Sequence, residues 1–154
     1  MSVYVMSDLH RNYEGFMSIL EQIHFSDEDE LYVNGDVVDR GRDGIKILQY
    51  MMIQPNIYPI IGNHEYALTQ VLDFVTQEIT EESISKIDEK TLQNIIEYQN
   101  IGGQVTLDEF HKLSKEEKQD IEDYLEEFAA YEEITVRGKA FVIIQVQSKI
   151  LCDG

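Results

Sequence analysis

Cysteine, proline, tryptophan and positive charge are all scarce in this chain. Its single cysteine, Cys152, has no internal disulfide partner, so a reducing cytoplasm is the expected compartment. No apolar run approaches the roughly 20 residues that cross a bilayer, and the first residues carry no signal-peptide pattern. Lysine and arginine total 12 against 30 aspartates and glutamates. The resulting net charge of −18 argues against nucleic acid or anionic membrane as a partner, since both are polyanions, but suits a site that holds cations. Simple solubility would account for much of the same charge. No glycine-rich loop follows the first apolar run, which argues against a phosphate-loop nucleotide-binding domain.

What remains is a globular composition, 43% hydrophobic and 27% charged over 154 residues, enough chain to bury a core. Val3-Tyr4-Val5-Met6, Leu31-Tyr32-Val33-Asn34 and Ile57 to Ile61 are short, continuous apolar runs read as strands, with Pro59 pointing to an edge. Helical spacing follows each. Phe16, Ile19, Leu20 and Ile23 mark the first helix, Ile45, Leu48 and Met52 the second, and Leu68, Val71, Leu72 and Val75 the third. Strand–helix three times over predicts parallel strands with helical crossovers, an α/β fold. Farther on, residues 78–89 read as an exposed connection. Leu92, Ile95 and Ile96 mark a helix ended by Gly102-Gly103, and Ile121, Tyr124, Leu125 and Phe128 another. Thr106-x-x-Glu109 and Ser114-x-x-Glu117 both have capping-box spacing, and a hairpin is expected through Gly138.

Three polar motifs fall directly after the three predicted strands, at what would be their C-terminal ends, where open α/β sheets place ligands. The central one, Gly35-Asp36-Val37-Val38-Asp39-Arg40-Gly41, sets two carboxylates and a guanidinium between glycines. Asp8 and His10, two apart after the first strand, can leave one face and reach one ion; alone they read first as a turn aspartate beside a surface histidine. Asp36 has two oxygens and could bridge two ions, and Asn63 offers a neutral oxygen or serves as a turn residue. Asp39 next to His64 would orient a general acid able to protonate a departing alkoxide. Arg40 can grip phosphate through its planar fork, or form a surface ion pair.

Taken together in this order, D-x-H, G-D-x-x-D-R-G and Gly62-Asn63-His64-Glu65 resemble the calcineurin-like metallophosphoesterases, and within them the phosphoprotein phosphatase branch with its small bacterial and phage members. The usual D-x-H-G departs at Arg11, while Gly102-Gly103-x-x-Thr106-Leu107 looks like a segment of bacterial members. The resemblance implies that Asp8, His10 and Asp36 hold one metal and that Asp36 with Asn63 begins a second. It also implies His64 as general acid supported by Asp39, and Arg40 on the phosphate. The metal would be a divalent transition ion, manganese first, with iron or zinc as alternatives. The substrate would be a phosphorylated protein or a small phosphate ester, including diadenosine tetraphosphate.

The family normally gives its second metal two further histidines, the first in an apolar-run–His–Ala–Gly pattern. Here Phe141-Val142-Ile143-Ile144 is followed by Gln145-Val146-Gln147. Only four histidines exist, and His24 and His111 sit in helix-end and charged contexts. One strong metal site and one weak one are therefore expected. Residues 1–154 read as a single metallophosphoesterase domain, incomplete at its C-terminal end, with the second sheet of the family's sandwich only begun. Uncovered apolar surface would then favour a homo-oligomer. The competing reading is a catalytically inactive, shortened relative serving as a binding or oligomerising module.

Overall fold

The computed structural model describes residues 1–9, 12–75 and 80–145. His10, one of the expected metal ligands, lies outside them, as does Val146. Strands β1 (Val3–Met6), β2 (Glu30–Asn34) and β3 (Ile57–Ile60) form a parallel sheet in the order β1-β2-β3. The register pairs Met6 with Val33 and Asn34 with Ile60, so all three strands end at nearly the same level. Helices α1 (Tyr13–Gln22), α2 (Gly44–Met52) and α3 (Asn63–Val75) follow them in turn. Asn12 starts α1 by accepting from the Gly15 amide at 2.8 Å.

Alternation along β2 builds the two sides of the molecule. Leu31 and Val33 point to the main core, where they meet Ile45, Ile47, Leu48 and Leu68. Tyr32 points the other way and packs with Ile60 and Ile143. Ile143 belongs to a hairpin of β4 (Glu132–Val136) and β5 (Lys139–Ile143). Arg137 and Gly138 close that hairpin at φ 50° and 77°, the left-handed pair a tight two-residue turn requires. A second layer thus begins over the free face of the parallel sheet, as expected, leaving Phe141 and Val142 exposed.

Between the two layers' strands run α4 (Glu81–Ser85), α5 (Glu89–Asn100), α6 (Gln104–His111) and α7 (Lys115–Glu126). Ser114 and Glu117 make both bonds of the expected capping box on α7, and Ile121, Tyr124, Leu125 and Phe128 are buried as read. Several expectations need correction. β1 is half-buried rather than buried, because it is a sheet edge and Val5 is 53% exposed. The stretch read as a connection contains the short helix α4. The helix marked by Leu92, Ile95 and Ile96 forms as α5; Leu92 and Ile96 face outward and Tyr98 is its buried residue, turned to the turn after β2. Thr106 lies inside α6 and caps nothing there; Glu109 instead accepts from the Asp43 amide at 2.8 Å, at the start of α2.

Candidate active site

The polar residues after β2 and β3 converge because the two strands end side by side and their following turns must cross at close range. A Cβ added to Gly35 would lie 2.6 Å from Gly62 Cα, so no larger residue fits at that crossing. The turn is held in left-handed conformations at Asp36, Asp39, Arg40 and Asp43, with φ between 56° and 73°. Aspartate tolerates this; arginine does so at a cost of roughly 1–2 kcal/mol. Asp8, after β1, is left-handed too, at φ 57°.

Glu65 pins the crossing from beneath. Its side chain is fully buried, and its Oε2 accepts from the amides of Asp36 (2.8 Å) and Gly62 (3.1 Å). Oε1 accepts from Val37 (2.6 Å) and Val38 (3.2 Å). Burial pushes this carboxyl's pKa up, and the backbone donors pull it the other way. Every one of these contacts presents a donor to an oxygen lone pair, the arrangement an ionised carboxylate satisfies.

Asp39 is also fully buried and anchors the general-acid candidate. Its Oδ2 lies 2.7 Å from Nδ1 of His64. Its Oδ1 accepts from the Tyr98 hydroxyl at 2.5 Å and from the Thr106 hydroxyl at 2.6 Å, and Thr106 Oγ1 accepts in return from the Asp39 amide at 3.0 Å. Burial, then the Asp39 charge, pushes the Tyr98 phenol far above the usual tyrosine range, so it stays a donor. With Asp39 so satisfied, the imidazole has one orientation.

Arg40 stands at the rim. Its amide donates to Gly102 O at 3.2 Å and its Nε to Ile101 O at 3.4 Å, leaving an exposed guanidinium. Arg40, His64 and Asn63 share a cavity of about 500 Å³ with Tyr66, Lys90 and Asn94, between the strand ends and helices α3 and α5. His24 and His111 are exposed on helix ends elsewhere in the fold, at the C-terminal side of α1 and in the last turn of α6.

Against this geometry the comparisons with known proteins are decisive about kinship. The pattern of the calcineurin-like phosphoesterase family matches residues 1–146. The chain belongs to that family. A symmetrical bis(5'-nucleosyl)-tetraphosphatase of Buchnera aphidicola subsp. Schizaphis graminum is 34% identical over 119 residues, 73% of this chain and 42% of that protein. Proteins of the same name from Erwinia tasmaniensis (32% over 89 residues, 56% of this chain, 32% of that protein) and Glaesserella parasuis (29% over 102 residues, 65% and 37%) are also similar. The chain spans less than half the length of each. None of these three relatives bears the name of a protein phosphatase, the branch the motifs suggested.

The family's phosphoesterases use divalent metals, so the donors in this chain can be tested for fit. Asp8 and Asp36 leave adjacent strands just past paired residues, two carboxylates suited to one divalent ion. Among the described residues no group of three or more His, Cys, Asp or Glu forms; the third expected ligand, His10, lies outside them. Asn63 Oδ1 is buried with no hydrogen-bond partner, as a ligand oxygen awaiting an ion would be. The rest of the second position does not fit. Gln145, where the family pattern has a histidine, donates from Nε2 to Asp36 Oδ2 at 2.7 Å.

Four contributors were not assigned by sequence reading. Glu65 lies inside the Gly62-Asn63-His64-Glu65 motif without a role of its own, Thr106 reads as a helix cap, Tyr98 completes the i, i+3 spacing from Ile95, and Gln145 stands only as a missing histidine.

Proposed function

We propose that the chain carries the general-acid and phosphate-binding side of a hydrolase acting on small phosphate esters, with dinucleoside polyphosphates as the substrate class. The single observation that carries this reading is the buried His64–Asp39 pair, 2.7 Å apart, opening with Arg40 onto one cavity. The relatives' names favour dinucleoside tetraphosphates over phosphoproteins, and a cavity of about 500 Å³ bordered by Arg40 and Lys90 suits a polyphosphate carrying a nucleoside.

In this reading Arg40 binds non-bridging phosphate oxygens and orients the ester. Asp39 keeps Nδ1 of His64 engaged, so Nε2 is the ring atom that hands a proton to the leaving oxygen. Tyr98 and Thr106 hold Asp39 against rotation. A divalent ion held by Asp8, His10 and Asp36, manganese by preference, would supply charge stabilisation and an acidified water when bound.

The test is hydrolysis of diadenosine tetraphosphate and of an aryl phosphate with manganese, by the chain, His64→Asn and Asp36→Asn. Turnover that favours the dinucleotide and falls in both variants supports the reading. Equal rates in all three proteins sink it.

A further inference from the structure

After β5 the chain passes alongside the end of β2, where Asn34 Nδ2 donates to Ile144 O at 3.2 Å. That contact delivers the side chain of Gln145 into the crossing between the two glycine turns. Its Nε2 donates to Asp36 Oδ2 at 2.7 Å and to Asn34 O at 3.4 Å, while its Oε1 accepts from the Asn63 amide at 2.9 Å. These partners fix which end of the amide is which. Turned over, it would set an oxygen against the Asp36 carboxylate and an NH₂ against the Asn63 N–H.

The fit is close on both sides. A Cβ on Gly35 would come within 2.8 Å of Gln145 Oε1, and one on Gly62 within 2.4 Å. The same two glycines that let the turns after β2 and β3 cross therefore also leave the slot this amide fills.

We propose that Gln145 takes the place of a second metal ion, so that this chain has a single-ion centre. A second cation in this corner would need Asp36 Oδ2 and Asn63 Oδ1 as oxygen donors. Gln145 aims an N–H at the first of these, and an amide nitrogen has no lone pair to give a metal. Its own oxygen is spent on the Asn63 amide. The N–H supplies partial positive charge to Asp36 where an ion would otherwise sit, so the carboxylate is satisfied without one. The other oxygen of Asp36, Oδ1, accepts from the His64 amide at 3.4 Å. The inference rests on the family's metal chemistry and not on the substrate proposed above.

The experiment is manganese titration of the chain, Gln145→His and Gln145→Ala, followed by electron paramagnetic resonance, with circular dichroism melts confirming that each is folded. The native chain is expected to bind one ion and to show no spin-coupled pair. Gln145→His is expected to take up a second ion roughly 10-fold or more tighter than the native chain, with a coupled signal. Gln145→Ala, which removes the N–H donor, is expected to admit a second ion more weakly. Two ions with a coupled signal in the native chain would overturn the proposal, as would a second ion absent from both variants. Because the readout is metal stoichiometry, a failed hydrolysis assay would leave it standing, and its own failure would leave the substrate reading untouched.

Discussion

The hydroxyl of Tyr98 donates to Oδ1 of Asp39 at 2.5 Å, joining residues 59 positions apart across the wall of the cavity. Asp39 in turn holds His64, so a side chain of α5 supports the orientation of the general-acid candidate. Tyr98→Phe keeps the ring in its pocket and removes only the donor. The expected loss is about 1–2 kcal/mol of stability by urea denaturation, since Thr106 still serves the same oxygen. Turnover should fall while KM holds, because the phenol supports His64 and not substrate. An unchanged kcat with a shifted KM would show that Tyr98 acts on substrate instead.

Gly103 controls the same contact by steric means. A Cβ there would meet the Tyr98 ring at 2.4–2.6 Å, with no flexible end to move aside. Gly103→Ala should therefore push the ring off Asp39 and cost more stability than Tyr98→Phe. Gly138, in the hairpin turn, is the control. Its added Cβ would meet nothing within 4 Å, but φ is 77°, so Gly138→Ala should cost only about 1–2 kcal/mol of backbone strain and leave turnover unchanged. Equal turnover losses in the two alanine variants would refute the steric account.

The parallel sheet and its first three helices were legible because each strand is a short apolar run followed within two residues by glycine or aspartate, and each helix repeats its apolar residues every three or four positions. The positions of the candidate site residues were legible for the same reason: they sit where strands stop. Tyr98 and Thr106 were not. Their role depends on how α5 and α6 dock against a turn 59 and 67 residues earlier, and local spacing cannot encode that. Leu92, Ile95 and Ile96 mark a helix that does form, but the residue it buries is Tyr98, because in a helix with few apolar residues the buried face is chosen by its neighbours. Thr106-x-x-Glu109 has the spacing of a cap, but both side chains reach across space to the Asp39–Asp43 turn. Gln145 could be seen as a departure, yet its bonds to Asp36 and Asn63 exist only once the hairpin folds over the sheet.

Glu65 offers a sharper test of how the crossing is held. Its two oxygens meet four backbone donors in a fully buried site. Glu65→Gln replaces one oxygen by an NH₂, which sets donors against donors and strands at least one buried amide. The expected cost is about 3 kcal/mol or more, read as a lowered urea midpoint with an unchanged slope. A change below about 1 kcal/mol would mean that the four amides find other partners.

Arg40 separates stability from function at one position. Its backbone is left-handed at φ 61°, a conformation that disfavours every residue with a Cβ, and its guanidinium is exposed at the rim of the cavity. Such strain persists where the side chain is needed for something other than folding. Arg40→Gly relieves roughly 1–2 kcal/mol of strain, partly offset by glycine's greater freedom in the unfolded chain. Stability should therefore hold or rise slightly. If the fork binds phosphate, its removal forfeits charge-assisted bonds worth about 1.5–3 kcal/mol, so kcat/KM should fall roughly 10- to 100-fold. Arg40→Lys keeps the charge without the fork or the strain relief, and should fall between the native chain and Arg40→Gly in kcat/KM. A glycine variant that is both less stable and fully active would reverse the argument, making Arg40 a structural residue held by its contacts to Ile101 and Gly102.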